Sequence, residues 1–146
     1  LSSEPLSQKE SEVLTNILDS SRDLERIGDH GEALINLTDY IRRKKVEFSP
    51  AALQELDLIY NMTLSFIKES LKSVEDNDIE LANSLVAKHE AIDKMERRLR
   101  KTHIHRLNRG ECSTQAGVNF IDIISHYTRV ADHAMNLAEK VQAEQI

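Results

Sequence analysis

The sequence predicts an all-α protein, an antiparallel up-down bundle of four long helices. Three observations predict it. Glycine (4), proline (2) and aromatic residues (4%) are too scarce in 146 residues for the turns and strands of a sandwich or barrel. Apolar residues recur at alternating spacings of three and four, the period of a buried helical face. The interruptions are only a few residues long, and helices joined so briefly lie antiparallel as neighbours.

Each element has its own start and stop. Ser7-Gln8-Lys9-Glu10 is a capping-box pattern, so a first helix begins there. Its stripe is Leu14, Ile17, Ser21, Leu24, Gly28, Gly31 and Ile35, and it runs to about Lys45. Ser49-Pro50 reads as an N-cap followed by proline at the first helical position, where the missing N–H costs nothing. The second helix carries Leu53, Leu56, Ile59, Tyr60, Thr63, Phe66, Ile67 and Leu71. Asp76-Asn77-Asp78 interrupts it, and Asn77 with Glu80 starts a third helix with Leu81, Leu85, Ile92, Met95, Leu99 and Ile104 inward. Asn108-Arg109-Gly110 stops that helix, and Ser113 or Thr114 caps a fourth with Gly117, Ile121, Ile124, Thr128, Ala131 and Ala138 on its seam.

The chain has room for a single domain, residues 1–146. Lys+Arg of 19 against Asp+Glu of 25 leaves a net charge of −6, which argues against a general electrostatic attraction to nucleic acid and makes any basic patch local. One cysteine, Cys112, permits no internal disulfide and fits a reducing compartment and a packing role. No apolar run reaches the roughly 18 residues of a membrane span. The first residue is Leu1 and not methionine, which suggests a piece of a longer chain whose other parts can include a membrane segment.

The chain also repeats itself. Arg26-Ile27-Gly28-Asp29-His30-Gly31 in the first helix matches Arg129-Val130-Ala131-Asp132-His133-Ala134 in the fourth. Both copies set small residues beside an aspartate, as if to let backbones approach closely with a carboxylate at the interface. Packing alone does not explain the paired Asp-His.

The segment Asp23-Leu24-Glu25-Arg26-Ile27-Gly28-Asp29-His30 resembles the repeated signature of the PhoU family, helical regulators of bacterial phosphate uptake. Within that family the sequence is most similar to the cytoplasmic tail of bacterial sodium/phosphate cotransporters, through His89-Glu90-Ala91-Ile92-Asp93, His103 to Leu107, Gly110-Glu111-Cys112, Phe120-Ile121-Asp122 and Arg129 to Glu139. A family repeat is three helices, so the resemblance implies the last helix of one repeat and a complete second repeat. It also implies a helix face on which a Glu or Asp is followed four positions later by Asp, an element that in some members binds multinuclear metal clusters. Glu25 and Asp29 match that element in the first copy, where Ala33 stands in the place of a frequent asparagine. In the second copy Thr128 replaces the first acid, leaving Asp132, with Asn136 one turn on.

The spacing admits two readings of these acids. Glu25, Asp29, Glu32 and Asn36 fall at i, i+4, i+7 and i+11, an oxygen-rich stripe suited to magnesium, manganese or iron, with His30 or His126 widening the choice. Equally, a solvated face pairs them with Arg22 or Arg26. Asp122 and His126 are one turn apart and serve either as ligands or as a local ion pair. Glu90 and Asp93 can add carboxylates from a facing helix, or pair with Lys94 and Arg97. No histidine has a glutamate three residues before it, which removes the di-iron enzyme bundles, and His89-Glu90 lacks the second histidine of a zinc-protease helix.

Arg42, Arg43, Lys44 and Lys45 end the first helix, and Arg106 and Arg109 end the third, giving a basic pole. Helix-dipole complementation accounts for part of it, and a partner or anionic membrane surface for the rest. The expectation is therefore a non-catalytic cytoplasmic regulatory domain of a sodium-dependent phosphate cotransporter, at the cytoplasmic face of the bacterial inner membrane. Its metal sites would be Glu25, Asp29, Glu32, Asp132, Asn136, Asp122 and His126, holding a divalent or multinuclear iron, zinc or manganese group. Its partners would be the transmembrane part of the same chain or a phosphate transporter, with a homodimer open and no nucleic acid. The alternative is a fragment of a free-standing PhoU regulator, and a metal-dependent enzyme or metal store stands behind both.

Overall fold

The computed structural model describes residues 4–143, and these form four helices: α1 (Gln8–Arg43), α2 (Pro50–Glu75), α3 (Ile79–Asn108) and α4 (Thr114–Gln142). No strand occurs among them. The caps explain the boundaries. Ser7, Ser49 and Ser113 each accept the backbone N–H three residues on, at 3.1 Å in every case, and Asp78 does the same for Leu81 at 2.9 Å. Asp78, and not Asn77, is thus the N-cap of α3, because Asn77 is spent on ending α2 in the left-handed region at φ 48°.

Three helices end in one way. The residue after the C-cap takes a positive φ at Lys45, Asn77 and Gly110, and the next N–H turns back to a carbonyl five residues earlier: Val46 to Ile41, Asp78 to Ser73, Glu111 to Arg106. Only Gly110 has the residue type that makes this free of strain.

Helices α2, α3 and α4 pack on one another, while the backbone of α1 approaches that of α4 alone. The core accordingly sits within α2–α4, in one cluster around Phe66, Leu85, Ile92, Ala131 and Ala138 and a second around Ala52, Ile59, Leu99, Phe120 and Ile124. His103 is also interior, its ring stacked 4.1 Å from that of Phe120.

The periodic stripe of α1 is therefore not a core face. Leu14, Ile17, Leu24 and Ile35 are exposed, and Asp23 is the one buried residue of that helix. Nor do Gly28 and Gly31 mark a close approach: a Cβ at either would meet nothing within 4 Å. The close approach occurs at Gly117, where a Cβ would stand 2.5 Å from the Leu107 side chain. Because α1 and α2 stand apart, an apolar groove of ≈ 270 Å³ opens between them, with Tyr127 and Val130 of α4 in its lining.

Candidate metal centre

Asp132 of the second motif faces α3. His89 Nε2 donates to Asp132 Oδ1 at 2.8 Å and lies 3.9 Å from Asp93 Oδ2, one helical turn along α3. One donor atom from each of the three residues lies within 4.8 Å of the others. The Phe66 ring, 5.9 Å from the imidazole, packs beside His89. Burial pushes the Asp93 carboxyl above its ordinary range; His89 pulls it down, and the Asp132 carboxylate adds to the rise. Two carboxylates and an imidazole thus converge, with Arg97 also acting on Asp93. One nitrogen and two oxygen donors suit zinc, manganese or iron, so the residues present fit such an ion.

The other face of α4 meets α1 through a polar line. Asp23 Oδ1 accepts from His133 Nδ1 at 2.9 Å and from Asn136 Nδ2 at 3.1 Å, and its Oδ2 accepts from Lys140 Nζ at 3.3 Å. Burial alone would raise the Asp23 carboxyl, but these three donors together carry it below its ordinary value. One turn further, His30 Nδ1 and His126 Nδ1 stand 3.0 Å apart. Burial first, then the charges of His126, His133, Arg129 and Arg26, hold His30 below the usual imidazole range.

The PhoU domain family model matches residues 56–141. The chain belongs to the PhoU domain family. It is 32% identical over 133 residues to the phosphate-specific transport system accessory protein PhoU homolog 1 of Thermotoga maritima, covering 91% of this chain and 56% of that protein. It is 28% identical over 126 residues to the corresponding PhoU homolog of Streptococcus pneumoniae, covering 86% and 57%. The chain thus spans a little over half the length of these relatives. In fold it is similar to the crystal structure of the phosphate transport system regulatory protein PhoU from Streptococcus pneumoniae, with a TM-score of 0.78 at 24% identity over 94% of this chain and 63% of that one.

Against this family background the expected ligands separate. Of the seven, Asp132 alone enters the three-donor group, and its partners His89 and Asp93 come from α3. Glu25, Asp29 and Glu32 are exposed on α1 and join no such group among the described residues, because no second helix faces their stripe. Asn136 serves as a donor to Asp23. His126 turns to His30 and not to Asp122, which is exposed. Asp93 fulfils the facing-carboxylate expectation, whereas Glu90 is exposed. The candidate donor not anticipated is His89; its signal was the i,i+4 spacing to Asp93 on the helix that neighbours Asp132.

The basic pole is largely compensated. Arg42 and Arg43 both bind Asp39, at 2.7 and 2.9 Å, Arg106 pairs with Glu55, and Arg109 lies 3.9 Å from Glu111. Lys44 and Lys45 instead line an open cleft with Glu47, Glu111 and Cys112. Cys112 is half-buried, its sulfur 3.7 Å from His103 Nε2.

Proposed function

We propose that this chain is a non-catalytic regulatory component of bacterial phosphate uptake whose α3–α4 face binds a divalent metal through His89, Asp93 and Asp132. The observation that carries the reading is that the repeated family motif delivers Asp132 to a histidine and a second carboxylate on the neighbouring helix. The names of the relatives favour an accessory protein acting on a separate transporter over the tail of a sodium/phosphate cotransporter. No described helix is long and apolar enough to cross a membrane.

When bound, the metal supplies charge balance for the two carboxylates. The chain's own residues do the rest. Asp93, one turn from His89, and Asp132, across the helix seam, lock α3 to α4 when both are drawn to one cation. A regulator works by binding two conformations of its partner unequally, so what matters is the shape that this lock enforces. The relatives named as phosphate transport accessory proteins support regulation as the role.

The test is genetic. In the source bacterium, deletion of the gene should abolish the dependence of phosphate uptake on external phosphate. The wild-type gene should restore it, and Asp93→Asn/Asp132→Asn should not. Uptake that responds to phosphate normally after deletion would refute the regulatory reading, and full rescue by the double variant would refute the metal's part in it.

A further inference from the structure

The repeated motif creates a second juxtaposition, where α4 meets α1. Asp23 and His126 each lie three residues before the matched arginines Arg26 and Arg129, and His30 and His133 each lie four after. Exchanging α1 with α4 therefore turns the Asp23–His133 contact into the His126–His30 contact. In the first, a carboxylate meets an imidazole at 2.9 Å. In the second, two imidazoles meet at 3.0 Å, with no acid between them.

We propose that the His30–His126 pair is a binding site for a transition-metal ion of the zinc, copper or nickel class, which clasps α1 to α4. Metal–imidazole bonds of about 2.0–2.1 Å put two ligand nitrogens roughly 2.9–3.4 Å apart for angles between square and tetrahedral. The Nδ1 atoms already stand at that separation, with ring centroids 5.2 Å apart and planes tilted by 58°. Both rings are half-buried on long helices, so little ordering is left to do on binding. His133 is the nearest third imidazole, 5.9 Å from His30 by ring centroid. Its Nδ1 is committed to buried Asp23 and it forms no three-donor group with the pair among the described residues, so His30 and His126 are the two protein ligands. Water completes the coordination.

The surrounding charge selects the metal. Arg26 and Arg129 both act on His30 and oppose a cation held by charge alone, as magnesium or calcium would be. Zinc, copper and nickel bind neutral imidazole by coordinate bonding, which tolerates those guanidinium groups better. Since α1 packs on α4 alone, an ion shared between them would fix the one interface that holds that helix.

The experiment uses untagged protein, stripped of metal and titrated calorimetrically with Zn2+. Two backgrounds are needed, the wild type and Asp93→Asn/Asp132→Asn, which disables the α3–α4 centre. The double variant should still bind one equivalent, and adding His30→Gln or His126→Gln should weaken binding at least tenfold, while Mg2+ binds in neither case. To separate ligation from any loosening of α1 by glutamine, Cu2+ bound to the double variant is also read by electron paramagnetic resonance, where splitting from two imidazole nitrogens is expected. Loss of all Zn2+ binding in the double variant, or a copper spectrum without nitrogen splitting, would overturn the clasp and leave the α3–α4 centre standing. Retained binding in the double variant that ignores both glutamines would also overturn it.

Discussion

Replacing Asp23 with alanine should free α1 from α4 while the α2–α4 core stays folded. The carboxylate accepts three hydrogen bonds, from His133, Asn136 and Lys140 at 2.9–3.3 Å. A hydrogen bond to a charged group is worth about 1.5–3 kcal/mol net, and three on one carboxylate do not add fully. Asp23 is 8% exposed and the Lys140 side chain 13%, so the ammonium left behind loses its partner in a largely dry place. The combined loss is about 2–4 kcal/mol, a roughly 30- to 1,000-fold rise in the open fraction of α1. Amide hydrogen exchange resolves this by helix, because α1 docks on α4 alone. The carboxyl lies below its ordinary value when folded, so its contribution is complete above about pH 5, where the unfolded group is already ionised, and is lost progressively as pH falls further. Protection of α1 should thus fall with acid in the wild type, and that acid component should vanish in Asp23→Ala. Protection in α1 reduced less than tenfold, or reduced equally in all four helices, would refute the argument.

Other outcomes follow from the same packing. Gly28→Ala and Gly31→Ala should each raise stability by about 0.5–1 kcal/mol in urea denaturation, since the added methyl meets no neighbour and the helix gains a better former. Lys45→Gly should add about 1 kcal/mol by relieving a left-handed residue that bears a side chain, with Gly110→Ala losing a similar amount. His103 is held below its ordinary value by burial and by Arg106, against a smaller pull from Glu55. The unfolded chain therefore takes up its proton first, and stability should decline as pH drops through about 6.5. His103→Phe keeps the stack on Phe120 and should shrink that decline when unfolding free energies at pH 7 and pH 5 are compared; an unchanged difference would count against it.

Local chemistry made the helices legible in the sequence. Serines 7, 49 and 113 cap because each has a hydroxyl three residues before an orphan N–H, and proline at position 50 needs no partner. The stripe of α1 misled because a period of three and four reports an apolar face without saying what covers it. Asn136 misled for another reason: its partner is Asp23, 113 residues away, and spacing along α4 carries no trace of α1. His89 was hidden because only the α3–α4 seam sets it against Asp132. The repeat announced the acids, while the tertiary fold decided which of them acquired neighbours.

The most direct test of the metal-linked account is elemental analysis of untagged protein purified without chelators, in parallel with Asp93→Asn/Asp132→Asn, together with melting before and after metal is removed. The account predicts zinc, manganese or iron on the wild type at one or more equivalents, reduced by one equivalent in the double variant. Metal at a hundredfold over its dissociation constant should stabilise the wild type by about 2.7 kcal/mol through that site. Burial and the nearby Asp132 disfavour the charged form of Asp93, so the metal-free double variant should melt no lower than metal-free wild type. Equal metal content and equal metal-dependent melting in the two proteins would contradict the assignment of His89, Asp93 and Asp132 as the regulatory centre.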